Sequence, residues 1–198
     1  MEHLLSPEQI RAQILDAAEK RFRQFGFNKT TMAEIAKDCD MSAANIYRYF
    51  DNKMGIGACM AQRCFLEAET TIKKACEMPG LTASEQLEAF FLAALEHAHN
   101  QWSKQPRMDE MVQVIINERP DLVEQITQVK TAILLRILQQ GHKSGEFEVP
   151  DVAVTAQTIL YAGVVLTVPI FMHLHTYEEF QTMAKNLARL LIAGLLKR

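Results

Sequence analysis

Residues 31–53, TMAEIAKDCDMSAANIYRYFDNK, decide how this chain folds. Thr31 is followed three residues later by Glu34, a capping box that predicts the start of a helix. Ser42 is a favourable first residue for a second helix, and only a three-residue turn, residues 40–42, separates the two. Two short helices joined by such a turn are typical of a helix-turn-helix.

The second of these helices, predicted over residues 43–50, has two unlike faces. Because each residue turns a helix by about 100°, Ile46 and Phe50 lie on one side and should be buried. The other side carries Ala43, Ala44, Asn45, Tyr47, Arg48 and Tyr49. Small side chains let a helix approach base edges, Asn and Arg pair with adenine and guanine, and Tyr binds phosphate oxygens. The pattern therefore predicts a helix that enters the major groove of DNA.

Three residues that open predicted helices, Thr31, Ser42 and Lys53, are candidates for phosphate contacts. Backbone N–H groups at helix N-termini bind anions. A lysine beside the positive end of a helix dipole is unfavourable, and a phosphate at Lys53 would relieve that conflict. The alternative is an ordinary three-helix structural module in which Arg48 is solvated and the tyrosines are half packed.

Composition and charge leave these two interpretations open. The chain has 198 residues, of which 48% are hydrophobic, with 8 Gly and 6 Pro, so it is globular rather than disordered or collagen-like. Its net charge of −3 argues mildly against DNA binding. However, residues 20–53 hold seven basic and four acidic residues, a net of +3. The basic residues are therefore concentrated where DNA contact is predicted.

The rest of the chain is also predicted to be helical. Further capping boxes at Ser6, Thr82 and Thr176 open three helices, and no strand pattern is visible. The nine predicted helices cover residues 7–25, 31–38, 43–50, 53–77, 82–103, 107–117, 120–141, 151–173 and 177–197. We expect an all-α chain with a three-helix helix-turn-helix domain, residues 1–52, joined to a helical bundle, residues 53–198.

The segment from Ile10 to about Ile56 resembles the TetR family of bacterial one-component transcriptional regulators. The matching stretches are FRQFGF at 22–27, TTMAEIA at 30–36, MS at 41–42, NIYRYF at 45–50 and NK at 52–53. The resemblance implies that Thr31, Tyr47, Tyr49 and Lys53 contact phosphates and that residues 43–45 face bases.

The chain departs from the family pattern at two places. Asp40 stands at a turn position that is usually Gly, and Ala43-Ala44 stand where a Lys-Gly pair is usual. The missing lysine removes one family phosphate contact, and Asp accepts left-handed backbone geometry less easily than Gly.

The resemblance also implies that a small molecule binds among the middle helices and that the last two helices form a dimer. Residues 152–177 contain no Asp, Glu, Lys or Arg. A membrane span is a less favoured alternative to burial in an assembly, because Thr, Gln and His residues interrupt the segment. The final helix adds an apolar stripe. The residues expected in a homodimer interface are Leu160, Val164, Phe180, Leu187 and Leu191.

Aromatic and methionine residues of the middle helices are candidates for lining an apolar pocket, because such side chains adapt to varied ligands. The ligand-binding candidates are Phe91, Trp102, Met111 and Tyr161. His97 and His99 are polar options, although residues two apart on a helix point in different directions and cannot chelate one ion together.

No catalytic motif is visible, and no cofactor or metal is expected. The N-terminus has no secretory signal, so we expect a cytoplasmic protein whose four cysteines are reduced. The sequence predicts a repressor that binds a pseudo-palindromic DNA operator as a dimer and is released by an apolar or amphipathic effector. The alternatives are a small-molecule-binding or protein-interaction module with weak or lost DNA binding, and a thiol-based sensor.

Overall fold

The computed structural model describes residues 6–104 and 109–197. All regular structure in these residues is helical, apart from one isolated β-bridge. The helices are α1 Pro7–Phe25, α2 Met32–Asp38, α3 Ala43–Ile46, α4 Lys53–Cys76, α5 Ala83–Lys104, α6 Asp109–Glu118, α7 Pro120–Ser144, α8 Val152–Ala162, α9 Val164–Thr167 and α10 Tyr177–Leu195. The predicted all-α fold is confirmed.

The capping boxes form as predicted. The side chains of Ser6, Thr31 and Thr176 each accept a hydrogen bond from a backbone N–H three residues on, and the returning Gln or Glu accepts from the cap N–H. The Thr82 hydroxyl oxygen accepts from the N–H of Glu85 in the same way, at 3.2 Å. These local signals explain why most predicted helix starts agree with the structure. The predicted start at 107 lies outside the described residues.

Two predicted helices were wrong in extent. The helix predicted over residues 43–50 ends at Ile46, and the next residues form tighter turns in which Arg48 N–H donates to the carbonyl of Asn45 at 3.1 Å. The helix predicted over residues 151–173 breaks at Gly163 and continues as α9 and a 3-10 turn, Pro169–Phe171.

Packing accounts for the break at Gly163. A Cβ on this glycine would lie 2.3 Å from the ring of Phe91 in α5, so only glycine permits the approach. Six residues on, Pro169 has no backbone N–H to donate and starts the 3-10 turn.

Contacts between Cα atoms divide the chain into two compact units. The first comprises Met1–Cys64 and Gln105–Val123, and the second comprises Phe65–Lys104 and Glu124–Arg198. Helix α6 thus belongs to the first unit, although the sequence analysis placed it in the C-terminal domain. As a division between DNA binding and ligand binding, the boundary after residue 52 remains a prediction.

The second unit is built around α5, which packs against α10, α9 and the 3-10 turn. Its fully buried core includes Leu87, Phe90, Leu95, Leu134, Leu138 and Phe180. The Glu146 carboxylate accepts hydrogen bonds from the N–H groups of Ala83 and Ser84, both at 2.9 Å, and so caps α5 from a distant loop. No helix among the described residues is long and apolar enough to cross a membrane.

Candidate nucleic-acid interface

Most of the predicted DNA-contacting residues are solvent-accessible in the first unit. Exposed side chains are those of Thr31, Ser42, Ala43, Ala44, Tyr47 and Arg48, while Asn45 and Tyr49 are half-buried. We call these eight residues the recognition surface. Ile46 and Phe50, predicted to be buried, are 0% and 4% exposed. The two faces of the second helix-turn-helix segment are therefore confirmed.

The hydroxyls of Thr31 and Ser42 make hydrogen bonds within the protein. The Ser42 oxygen accepts from the N–H of Asn45 at 3.2 Å and starts α3. The Thr31 hydroxyl donates to the Glu34 carboxylate at 2.8 Å and accepts from the Glu34 N–H at 3.3 Å. Hydrogen bonds from Thr31 hold the pKa of Glu34 below its usual value. Both residues fix helix starts whatever else they contact.

Arg21 of α1 holds α2 in place. Its guanidinium makes two hydrogen bonds to the Asp38 carboxylate, at 2.6 and 2.9 Å, and lies 3.4 Å from Glu34. These hydrogen bonds lower the pKa of Asp38. Two-pronged Arg–carboxylate pairs fix orientation as well as distance, so α2 is tied to α1 at both of its ends.

The turn between α2 and α3 has the left-handed backbone that the family's usual glycine suggests. Asp40 has φ 55°, the only positive φ of a non-glycine residue among those described. A side chain in this region costs free energy, although Asp tolerates it better than most residues. Asp40 is therefore compatible with the turn geometry at a modest cost.

Arg11 of α1 contacts Tyr49 and Phe50, at the end of the second helix-turn-helix segment. The sequence analysis missed this contact. Its guanidinium donates to the backbone carbonyl of Tyr49 and lies 4.2 Å from the centre of the Phe50 ring. It also lies 3.7 Å from the sulfur of Cys59 in α4. Because Arg11 and Tyr49 are 38 residues apart, no local pattern could have paired them.

Lys53 is used in a way that the sequence did not suggest. Its ammonium donates to the carbonyls of Phe27, Asn28 and Thr30, at 2.5, 3.3 and 2.8 Å, and lies 4.5 Å from the centre of the Phe27 ring. Burial lowers the pKa of Lys53, partly offset by attraction to Glu110 and Glu34. The three carbonyls relieve the unfavourable helix dipole without a phosphate. A phosphate contact by Lys53 remains a prediction.

The basic side chains of residues 20–53 differ in whether they already have partners inside the protein. Arg21, Arg23 and Lys53 are engaged with carboxylates or carbonyls. Within residues 20–53, four exposed basic residues form no salt bridge with a described residue: Lys20, Lys29, Lys37 and Arg48. Of these, Arg48 lies on the recognition surface itself.

The ligand-binding candidates lie in different environments. Phe91 is fully buried against Gly163, Trp102 is half-buried beside His99, and Tyr161 is 64% exposed. Met111 is buried in the first unit, whereas the other three belong to the second. The rings of His99 and Tyr177 lie 4.5 Å apart. Trp102, His99 and Tyr177 thus form an aromatic cluster at the junction of α5 and α10.

The dimer candidates also differ in exposure. Phe180 and Leu160 are buried in the core of their own chain, Leu187 and Leu191 are half-buried, and Val164 is 38% exposed. Helices α8, α9 and α10 carry further exposed uncharged residues: Val154, Thr158, Tyr161, Val165, Met183, Leu190 and Gly194. An interface on α8 and α10 would use these neighbours as well.

Two family models match this chain. The model of bacterial regulatory proteins of the tetR family matches residues 14–56, which span the helix-turn-helix. The tetracyclin repressor-like C-terminal domain matches residues 83–188, more than half of the chain. The chain belongs to the TetR family. This confirms the resemblance seen in the sequence and identifies the protein as a transcriptional regulator rather than an enzyme.

Relatives with names and structures agree with this family. The HTH-type transcriptional repressor BepR of Brucella suis biovar 1 (strain 1330) is 28% identical over 166 residues, which are 79% of this chain and 77% of BepR. The fatty acid degradation regulator FadR from Bacillus halodurans has a TM-score of 0.69 at 19% identity over 96% of both chains. SmeT in complex with triclosan has a TM-score of 0.67 at 18% identity, over 95% of this chain and 92% of SmeT. The two structural matches show a shared fold.

Proposed function

We propose that this protein is a cytoplasmic, dimeric repressor that binds a pseudo-palindromic operator through the recognition surface. The observation that carries the proposal is that Arg48 is exposed and forms no salt bridge with a described residue, and that Tyr47, the preceding residue, is 52% exposed. A long cation and a tyrosine at the end of a short helix suit guanine and phosphate contacts. Ala43 and Ala44 leave room for the helix start to approach the bases.

A gel-shift titration on the DNA that flanks the protein's own coding region tests this proposal. Arg48→Ala and Tyr47→Phe should weaken binding, and Arg48→Ala should do so by at least about tenfold, since a base or phosphate contact contributes roughly 1–3 kcal/mol. Arg136→Ala is the matched control, because Arg136 pairs with Glu77 in the second unit. Wild-type affinity in both recognition variants would overturn the recognition surface. Absence of binding by the wild type would favour an interaction module instead.

We further propose that an apolar or amphipathic small molecule binds the second unit and releases the DNA. BepR is named a repressor, and SmeT has been solved in complex with triclosan. In this chain, Phe91 and the aromatic cluster around Trp102 are the candidate contacts. Triclosan as a probe should raise the Tm and weaken DNA binding, and Trp102→Leu should reduce both effects. A Tm that neither triclosan nor a panel of lipophilic compounds changes would contradict this part of the proposal.

The dimer is proposed from the uncharged exposed faces of α8 and α10. Tyr161 on α8 and Leu190 on α10 are 64% and 69% exposed, and large apolar side chains exposed on both helices indicate a contact surface. Leu190→Glu should shift the protein towards monomer in analytical ultracentrifugation. Leu174→Glu, at an exposed leucine in the turn before α10, is the control. A Leu190→Glu protein with the wild-type mass in solution would place the interface elsewhere.

A further inference from the structure

The loop Gly26–Thr30, which joins α1 to α2, is held from three directions. Within the loop, the Thr30 hydroxyl donates to the carbonyl of Gly26 at 2.9 Å. From α4, the Lys53 ammonium donates hydrogen bonds to the carbonyls of Phe27, Asn28 and Thr30. From α6, the Glu110 carboxylate accepts a hydrogen bond from the Asn28 N–H at 3.1 Å. The loop ends one residue before Thr31, the cap of α2, so its position sets where the helix-turn-helix begins.

The backbone of the loop is shaped to admit Glu110. A Cβ on Gly26 would lie 2.9 and 3.1 Å from the two carboxylate oxygens of Glu110. Gly26 also has φ +90°, a conformation that glycine adopts without strain. The carboxylate therefore lies directly against the backbone at the end of α1 as well as on the Asn28 N–H.

Helix α6 is itself anchored in the first unit. Met111 and Ile115 are 5% and 4% exposed, and Met111 lies 3.6 Å from where a Cβ on Gly57 of α4 would be. Glu110 directly precedes the buried Met111, so the packing of α6 fixes the position of the Glu110 backbone. The contact joins residues that are 82 positions apart. It is a tertiary link between α6 and the start of the helix-turn-helix.

From these contacts we infer that Glu110 is a positioning residue for the recognition surface. Its hydrogen bond to Asn28 fixes the loop, and the loop fixes the start of α2, so α6 contributes to operator affinity without touching DNA. The inference rests on the proposed DNA-binding function.

Two substitutions separate the hydrogen bond of Glu110 from its charge. Glu110→Gln removes the charge but keeps an oxygen that can accept from the Asn28 N–H. Glu110→Asp keeps the charge but is one methylene too short to reach. Glu118, an exposed residue on the same helix, is the matched control as Glu118→Gln. Operator affinity and its salt dependence are measured for all four proteins, together with amide hydrogen exchange at Asn28.

We expect Glu110→Asp to bind the operator about tenfold more weakly, as for the loss of one hydrogen bond. Its salt dependence should be unchanged, because no phosphate contact is lost. The Asn28 amide should exchange faster in this variant. Glu110→Gln should stay within about twofold of the wild type in affinity and exchange.

The inference is overturned if the operator affinities of the two Glu110 variants do not follow this order. Wild-type affinity in Glu110→Asp would show that the contact does not position the surface, and a changed affinity in Glu110→Gln alone would show that only charge matters. If the wild type binds no DNA, the proposed function fails. Exchange at Asn28 still reports whether Glu110 holds the loop, so the two failures are distinguishable.

Discussion

The recognition helix α3 and the bundle helix α5 differ in what keeps them folded. Helix α3 has four residues, one of which, Ile46, is buried. Helix α5 has 22 residues, and its apolar side chains form much of the core of the second unit. A four-residue helix is far too short to be stable by itself. The segment that directly follows α3 is held by a polar contact from Arg11 of α1 to the Tyr49 carbonyl, whereas α5 depends on close packing.

This difference indicates where single substitutions should act. In the first unit, changing a polar side chain that fixes the recognition segment should alter DNA affinity more than stability. In the second unit, changing the packing should alter stability first. The following predictions test this contrast.

The largest effect is expected from overpacking the second unit. Gly163→Ala would place a Cβ 2.3 Å from the Phe91 ring, and we expect the free energy of unfolding to fall by about 3 kcal/mol. Urea denaturation followed by circular dichroism measures this. Gly55→Ala in α4 is the control, because a Cβ there makes only ordinary contacts, at 3.9 and 4.0 Å. Equal stability of the two variants would contradict the close packing at Gly163.

In the first unit, Arg11→Ala should weaken operator binding by about tenfold through the loss of its hydrogen bond to the Tyr49 carbonyl. The salt dependence of binding should not change, since the guanidinium is used inside the protein. Fluorescence anisotropy at several salt concentrations measures both. Arg23→Ala, on the same helix but paired with Glu19, is the control. A reduced salt dependence in Arg11→Ala would instead indicate a direct phosphate contact.

A smaller effect is expected at Glu146. Burial raises the pKa of this carboxyl, but hydrogen bonds from Ser84 and Ala83 outweigh it and lower the pKa below its usual 4.5. The stabilisation is therefore present above about pH 4.5 and is lost as the pH falls through the lower, folded-state pKa. Glu146→Gln should reduce the free energy of unfolding by about 1 kcal/mol at pH 7.

The difference between wild type and Glu146→Gln should shrink below pH 4.5. Chemical denaturation at a series of pH values follows it, with Glu148→Gln at the exposed neighbouring carboxylate as the control. A difference that is the same at every pH would show that the carboxylate charge does not stabilise the start of α5.

The smallest effect is expected at the turn. Asp40→Gly should raise the free energy of unfolding by up to about 1 kcal/mol, because glycine has no Cβ and adopts φ 55° without strain. Asp40→Ala should lower it, because alanine keeps a Cβ without the local hydrogen bonding that Asp offers. Thermal unfolding ranks the three proteins. A ranking with alanine above glycine would contradict the left-handed geometry.

The sequence predicted features that depend on neighbouring residues. Capping boxes such as Thr31 with Glu34 act over three positions, and the buried side of residues 43–50 follows from helical periodicity. The contacts of Arg11 with Tyr49 and of Glu110 with Asn28 join positions 38 and 82 residues apart, which no local pattern pairs. Sequence reasoning therefore predicted which sides of residues 43–50 are exposed and buried, but it missed the residues that hold this segment in place.

Lys53 and Gly163 are two further residues whose contacts could not be predicted from neighbouring positions in the sequence. The unfavourable place of Lys53 beside a helix dipole was visible, and a phosphate was the only partner that the sequence suggested. The loop carbonyls that receive its ammonium come from residues 27–30 and become neighbours only in the fold. Likewise, the uncharged residues 152–177 suggested one continuous helix over residues 151–173. The break at Gly163 follows from its close approach to Phe91, which only the fold brings about.

The central claim, that two recognition surfaces read one operator, is tested most directly by enriching random double-stranded DNA on the purified protein and sequencing what binds. The account predicts an inverted repeat whose half-site centres are compatible with recognition helices about 34–36 Å apart, or a multiple of that spacing. The repeat should disappear with Arg48→Ala. Recovery of a single unrepeated site, or of no sequence at all, would contradict it.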